Sequence, residues 1–550
     1  MGSRGSPNDG SAYIRFDSFP SFKETWKASL TERAPASHDE FPDYHVSDPE
    51  ASLVSSSDVR SFHLGTGASI YTQSLIPAII GAKYEVILVT CFWAPSPTLS
   101  ALRDALEKLA ENRRERIRAS GLNADALPPL RIRICFSSRS FFQKLFHTWS
   151  KDGYVYPPST WSKRLGLPNP EVLEAGRIDL RVKSLFFLPF SVMHPKFLIV
   201  DRETAFLPSC NVSWEVWLEG CVEITGDAVA GLVEFYRQVW DKQLEDQLPA
   251  RAGLDNRSTR PPSLGELGLT SVTSPTNLHD TILSNSATPT VLLPSSHHQN
   301  PRFDLVPWHD DPSPPPTPLN CAILQLLDMA KHFIYMQTPN LTSTAVIDKL
   351  LEALKRGVNV AIVTSKRLML LEQLVTAGTT TSLCLRSLIR KYKKLESEKS
   401  QFRSGRGRGP SEQDIDIEAQ RPRLGFLTID YFRPDPAREA DCLDDETAEE
   451  PVQSHLKLTL VDGQYVVLGS GNMDRASWFT SQELGIMFHS KDIATAVGTA
   501  VGNVLSGRRE PFFSSSVADD ELGREFSRED TTNQNHRDSN MTRTRRVPAL

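Results

Sequence analysis

Two short patterns, 261 positions apart, carry the residue types that chemistry at phosphorus needs. His194, Lys196, Asp201, Ser209 and Asn211 recur as His455, Lys457, Asp462, Ser470 and Asn472, and both copies keep offsets of 2, 7, 15 and 17 from the histidine. Five fixed residue types in one register arise by chance, at a given start position, on the order of once in a million. The duplication is signal. A neutral imidazole can attack phosphorus as a nucleophile, and a second, protonated imidazole can donate to the departing alkoxide. Two lysines, two serines and two asparagines converging on one point would hold the equatorial oxygens of a phosphodiester while charge redistributes. This chemistry requires no metal and no cofactor.

The elements that must position these groups lie in the same stretches. In "HPKFLIVD" (194–201) strand alternation puts His194 and Lys196 on one face and sends Pro195, Phe197 and Ile199 toward a core. His455 and Lys457 repeat the arrangement. Asp201 and Asp462 fall one residue past the apolar strand, where the chain must turn. "DGQYVVLGSGN" (462–472) then supplies a second strand ending in a Gly-rich loop, whose small residues let backbone and hydroxyl groups approach an anion. The first half has Pro208 where the second has Gly469, a loss of flexibility at its phosphate loop.

Each motif is preceded by alternating strand and helix patterns. "YEVILVTCFW" (84–93) is a buried strand, 99–117 an amphipathic helix and "LRIRICFSS" (130–138) a further strand. The order recurs as a helix at 322–332, a strand at 333–340, a helix at 345–357 ended by Gly357, and a strand at 358–365. The expected class is α/β: two fused repeats about a pseudo-twofold axis, each a mixed sheet flanked by helices, with the site at their interface. The boundaries expected are a polar segment 1–55, a first repeat 56–249, a mobile Ser/Thr/Pro-rich linker 250–316, and a second repeat 317–512. That second repeat holds a disordered insertion at about 395–424, and 513–550 form a disordered tail.

The paired motifs resemble the phospholipase D superfamily, which is defined by two H-x-K-x4-D patterns, and the likeness covers about 60–250 and 318–490. It implies a covalent phosphohistidine, two in-line displacements and retention at phosphorus. Water as second nucleophile gives hydrolysis, and an alcohol gives phosphatidyl transfer. By the same resemblance His194 is the nucleophile and His455 the general acid. The family also places an acid after each motif to orient the histidine through its second nitrogen. Glu483 fits, eleven residues past Asn472; in the first half Glu223, twelve past Asn211, is preferred to Glu219. Asp201 and Asp462 are expected to be structural ion-pair partners rather than proton carriers. Among relatives the chain looks nearest to the cardiolipin synthase and bacterial-type branch, acting on phospholipids. A nuclease with the same residues, or a non-catalytic scaffold retaining the motifs, are the alternatives.

Composition constrains partners and compartment. With 61 basic and 67 acidic residues the net charge is −6, which disfavours a protein coated for nucleic acid. The seven cysteines form no C-x-x-C pair, as suits a reducing compartment. The most apolar run, Leu75 to Trp93, is broken by Pro77, Lys83 and Glu85, short of the roughly 18 apolar residues a spanning helix needs. An intracellular protein, cytoplasmic or peripheral at a membrane, is therefore expected, its phospholipid reached from the surface. Residues 1–6 fit the M-G-x-x-x-[ST] pattern for myristoylation at Gly2, against a plain polar tail. Arg386 to Arg408 holds nine Lys/Arg and two Glu, a solvated helix and loop, an anionic-membrane contact or an RNA or DNA contact. Trp214 and Trp217 belong to the site mouth, to a membrane interface or to plain packing.

Overall fold

The computed structural model describes residues 18–32, 45–120, 128–139, 152–187, 191–246, 248, 277–295, 313–404, 423–437 and 450–515. Gly2, residues 405–422 of the insertion and the tail beyond 515 lie outside them. Strands Glu85–Phe92, Leu130–Ser138 and Ile178–Ser184 run parallel side by side. Beside the first of these lie, in turn and antiparallel, Phe197–Val200, Thr204–Pro208 and Trp217–Thr225. The later half has parallel strands Phe333–Thr338, Asn359–Thr364 and Leu427–Phe432, followed by antiparallel Leu458–Val461, Tyr465–Gly469 and Glu483–His489. Six strands thus occur twice in the same order and sense. Helices Pro97–Ser120 and Thr344–Arg356 pack into the same apolar clusters as these strands, the latter stopped by Gly357 at φ +97°.

Two of the expected segments, 250–316 and 395–424, differ in the structure. Within 250–316, expected as a mobile linker, Asn277–Ser295 form a 19-residue strand that pairs with Val54–Gly65 on one side and Glu483–His489 on the other. Val291, Leu292 and Leu293 are fully buried there. Ser and Thr are compatible with a strand whose partners supply the ladder, so polarity alone did not identify a loop. With Val54–Gly65 also paired to Trp217–Thr225, the strands of both halves join into one 17-stranded mixed sheet.

The polar segment 1–55 contributes helix Ser18–Glu32, whose Phe22, Trp26 and Leu30, four apart, face the core. Trp26 Nε1 donates to Pro318 O at 3.1 Å. The insertion begins as helix: Thr381–Ser404 is continuous and buries Leu385, Leu388 and Tyr392. Strand Arg509–Ser514 crosses the boundary expected at 512.

Candidate active site

Each motif leads into a β-hairpin, Phe197–Val200 to Thr204–Pro208 and Leu458–Val461 to Tyr465–Gly469. Asp201 and Asp462 occupy the turns at φ +53° and +51°, a conformation Asp tolerates better than most residues. Their partners are backbone amides rather than cations, which corrects the ion-pair expectation. Asp201 accepts from the N–H groups of Lys83, Tyr84 and Glu85, and Asp462 from those of Lys331, His332 and Phe333, at 2.7–3.2 Å. Each carboxylate therefore ties the hairpin turn to the start of the neighbouring parallel strand. Seven residues of extended chain, roughly 20 Å, separate it from its histidine. Asp462→Ala should lower the unfolding free energy by about 2 kcal/mol in urea titration while leaving turnover within a few-fold. Lost turnover at unchanged stability would give Asp462 a chemical role instead.

The two histidines are held by strands of the opposite half. His194 N–H donates to Gln482 O at 2.9 Å, and His455 N–H to Leu218 O at 2.8 Å. The acid beside each of those carbonyl residues then meets the histidine. Glu483 lies 2.8 and 3.0 Å from His194 Nδ1, and Glu219 lies 2.8 Å from His455 Nδ1. Carboxylates only accept, so Nδ1 carries the proton on each ring and Nε2 is left with its lone pair free for chemistry.

Glu219, not Glu223, is thus the partner in the first half. Glu223 sits four residues further along Trp217–Thr225, where it accepts from Ser61 Oγ at 2.7 Å. Counting forward from the asparagine misled because helix Arg475–Phe479 lengthens the second half's loop. Sheet pairing gives the equivalence directly. Ser209 N–H donates to Gly220 O at 2.8 Å and Ser470 N–H to Leu484 O at 3.0 Å, which makes the preceding residues, Glu219 and Glu483, counterparts.

The serines close the constellation. Ser209 Oγ donates to Glu219 and Ser470 Oγ to Glu483, while each Oγ accepts a backbone N–H, from Gly220 at 2.9 Å and Leu484 at 3.0 Å. Pro208 therefore does not disturb the first half's serine. Gly469 is needed in the second, where φ is +145° and a Cβ would lie 2.4 Å from Leu484 O. Ser477, which ends the stretch GSGNMDRAS (469–477) that continues the second motif, joins them: its Oγ donates to Glu483 Oε1 at 2.7 Å. The asparagines are engaged differently. Asn211 Oδ1 accepts from Phe92 N–H at 3.2 Å, and Asn472 Nδ2 donates to Asp474 at 3.1 Å.

Lys196 and Lys457 are buried, each Nζ donating to the carbonyl of its own histidine at 2.9 and 2.6 Å. Burial lowers His194, opposed by Glu483 and aided by Lys196 and Lys457. Burial likewise holds His455 down at about 4, opposed by Glu219 and aided by Lys457 and Lys196. The lysine of each motif acts on the histidine of the other, so the two motifs share one electrostatic environment. Burial and Lys196 bring Lys457 down to about 7, against the pull of Glu219. For Glu219 and Glu483 burial, the largest single cause, acts upward, but His455, Lys457 and Ser209 around the first and His194, Ser470 and Ser477 around the second together outweigh it, and both stay below the usual carboxylate range. Trp217 packs its ring 4.8 Å from that of His455, whereas Trp214 is exposed and meets Phe92 edge-on.

Residues 323–411 match the family described as cardiolipin synthase, PLD-like domain. Over that segment the chain resembles the phospholipase D superfamily. Among solved structures, this phospholipase D-like chain is similar to the phosphatidylserine synthase of Haemophilus influenzae Rd KW20, at 14% identity over 82% of this chain and 87% of that one, TM-score 0.43. The phospholipase D family member Nuc of Salmonella typhimurium aligns at 16% identity over 35% of this chain and 90% of its own, TM-score 0.23. The polyphosphate kinase of Porphyromonas gingivalis aligns at 10% identity over 82% and 49%, TM-score 0.40. No curated protein matches the sequence. Among the described residues no helix is long and apolar enough to cross a membrane.

Proposed function

We propose that this phospholipase D-like chain cleaves phospholipid phosphodiesters through a phosphohistidine, the phosphatidyl group passing to water or to an alcohol, at a site between two related halves. The crosswise pairing of Glu219 with His455 and of Glu483 with His194 carries the reading, since it leaves two Nε2 atoms for one phosphorus. His194 Nε2 attacks phosphorus as the bond to the leaving alkoxide breaks, and His455 Nε2 supplies that alkoxide with a proton. Water or an alcohol then gives a proton to His455 and displaces His194 from phosphorus. Lys196 and Lys457 neutralise the equatorial oxygens, and the arriving phosphate anion raises the proton affinity of the imidazole that acts as acid. The match of 323–411 to a cardiolipin synthase-type domain favours lipid over nucleic acid.

The test is a substrate panel run across pH 4 to 9 with the full chain. Labelled phosphatidylglycerol, or phosphatidylcholine with a primary alcohol, should turn over, and single-stranded DNA should not. Burial lowers His194, so its neutral, nucleophilic form persists below its ordinary value of 6.5. His455, held at about 4, must carry a proton to act as acid, so kcat/KM should be highest on the acid side and decline as pH rises above about 4. Above about pH 7 Lys457 loses its proton and the phosphate loses a cation, so kcat/KM should fall further. Turnover of DNA alone would make the chain a nuclease. Inert lipid and DNA throughout would make it a scaffold.

A further inference from the structure

We propose that helix Leu370–Ala377, together with the exposed face of helix Thr381–Ser404, docks the protein on an anionic lipid surface beside the candidate active site. Leu370, Leu371, Leu374 and Val375 fall on one face of the first helix, and Leu371 is 77% exposed, Leu374 and Val375 50% each. Four clustered apolar side chains facing solvent on two helical turns need a partner. The opposite side is anchored: buried Gln373 donates to Leu368 O at 2.6 Å and accepts the N–H of Thr381 at 2.6 Å. The apolar face is therefore presented by a fixed helix rather than by a frayed one.

Charge identifies the occupant. Helix Thr381–Ser404 buries Leu385, Leu388 and Tyr392, so Leu383, Arg386, Arg390 and Lys394, three or four residues apart, share its outer face. Leu383 is 53% exposed, and Arg386 and Arg390 follow it along the same face as a basic row. Lys394 leans toward Glu398 at 3.8 Å, which leaves Arg386 and Arg390 as the main cationic contribution. Apolar side chains at acyl depth with basic ones at headgroup level suit a bilayer of anionic lipid.

The position suits the chemistry. Thr381 Oγ1 accepts from Leu341 N–H at 3.0 Å, and Leu341 bridges to Met473, the neighbour of Asn472. The apolar helix itself packs on Arg475–Phe479, which carries the Ser477 bonded to Glu483. Docking here would bring a bilayer close to the candidate active site. The proposal rests on the phospholipid reading for its meaning, so binding is measured apart from turnover.

The experiment uses the full chain with vesicles of phosphatidylcholine containing about a third phosphatidylglycerol, against pure phosphatidylcholine vesicles. The wild type should sediment with the anionic vesicles and release as salt is raised. Leu371→Ser/Leu374→Ser/Val375→Ser should lose at least roughly tenfold in partitioning. Arg386→Gln/Arg390→Gln should lose roughly fivefold per charge on anionic vesicles only. Both variants should hydrolyse a soluble diester such as bis(p-nitrophenyl) phosphate at the wild-type rate. Unchanged partitioning in both variants, or a wild type that ignores vesicles, overturns the proposal. A wild type that ignores vesicles but forms dimers lost in the triple variant would give the patch to a second copy and likewise overturn it. Inert diester with intact vesicle binding would count against the catalytic reading alone.

Discussion

His194→Asn is expected to lower kcat by roughly 10⁴-fold or more, because a nucleophile and its partner acid work as a unit and neither is useful alone. Asparagine keeps the polarity of the site and can still meet Glu483, so the fold should survive with a melting temperature close to that of the wild type. His455→Asn should be nearly as damaging on a lipid ester, but far less so on a diester whose leaving group is p-nitrophenolate, which departs without a proton. With that substrate His455→Asn should accumulate phosphoenzyme on rapid alkaline quench, which spares the acid-labile P–N bond, and His194→Asn should not. The reverse pattern would exchange the two roles. Near-normal turnover of lipid by either variant would remove the proposed mechanism.

Glu219→Gln is the second large effect, expected at roughly 10²-fold or more in kcat with KM little changed. Glu219 takes the Nδ1 proton of His455 on one oxygen and the hydroxyl of Ser209 on the other. A glutamine must turn its NH₂ toward one of these donors, which favours the imidazole tautomer with Nε2 protonated and spoils the ring for accepting a proton. The same change removes the anion that offsets burial of Lys457, so the high-pH fall in kcat/KM should begin lower than in the wild type. Glu223→Gln should alter turnover by no more than about twofold, since its carboxylate meets Ser61 and not the site. Equal losses in the two variants would undo the assignment of Glu219.

Local rules accounted for the strands and for the residues at their ends. Leu130–Ser138 is a strand at the bounds its alternation implies, and Thr344–Arg356 ends at Gly357 as a C-terminal glycine dictates. They fail where a segment depends on distant partners. Nothing within Asn277–Ser295 marks it as the strand between Val54–Gly65 and Glu483–His489, because its ladder bonds are supplied by residues hundreds of positions away. Ser18–Glu32 is similar: its apolar face is legible, but the surface that receives it, at Pro318 and Gln325, is not.

By itself the sequence determined the chemical groups: two histidines, two lysines and two serines at matching offsets, the histidines and lysines just before the first strand of each hairpin and the serines just after the second. Matching offsets along the chain and the apolar strands between them are local properties and need no tertiary information. Only the tertiary structure decided which carboxylate serves which ring. His194 takes Glu483 and His455 takes Glu219, 289 and 236 residues away, because strand ends from opposite halves abut and a hydrogen bond obeys distance in space rather than along the chain.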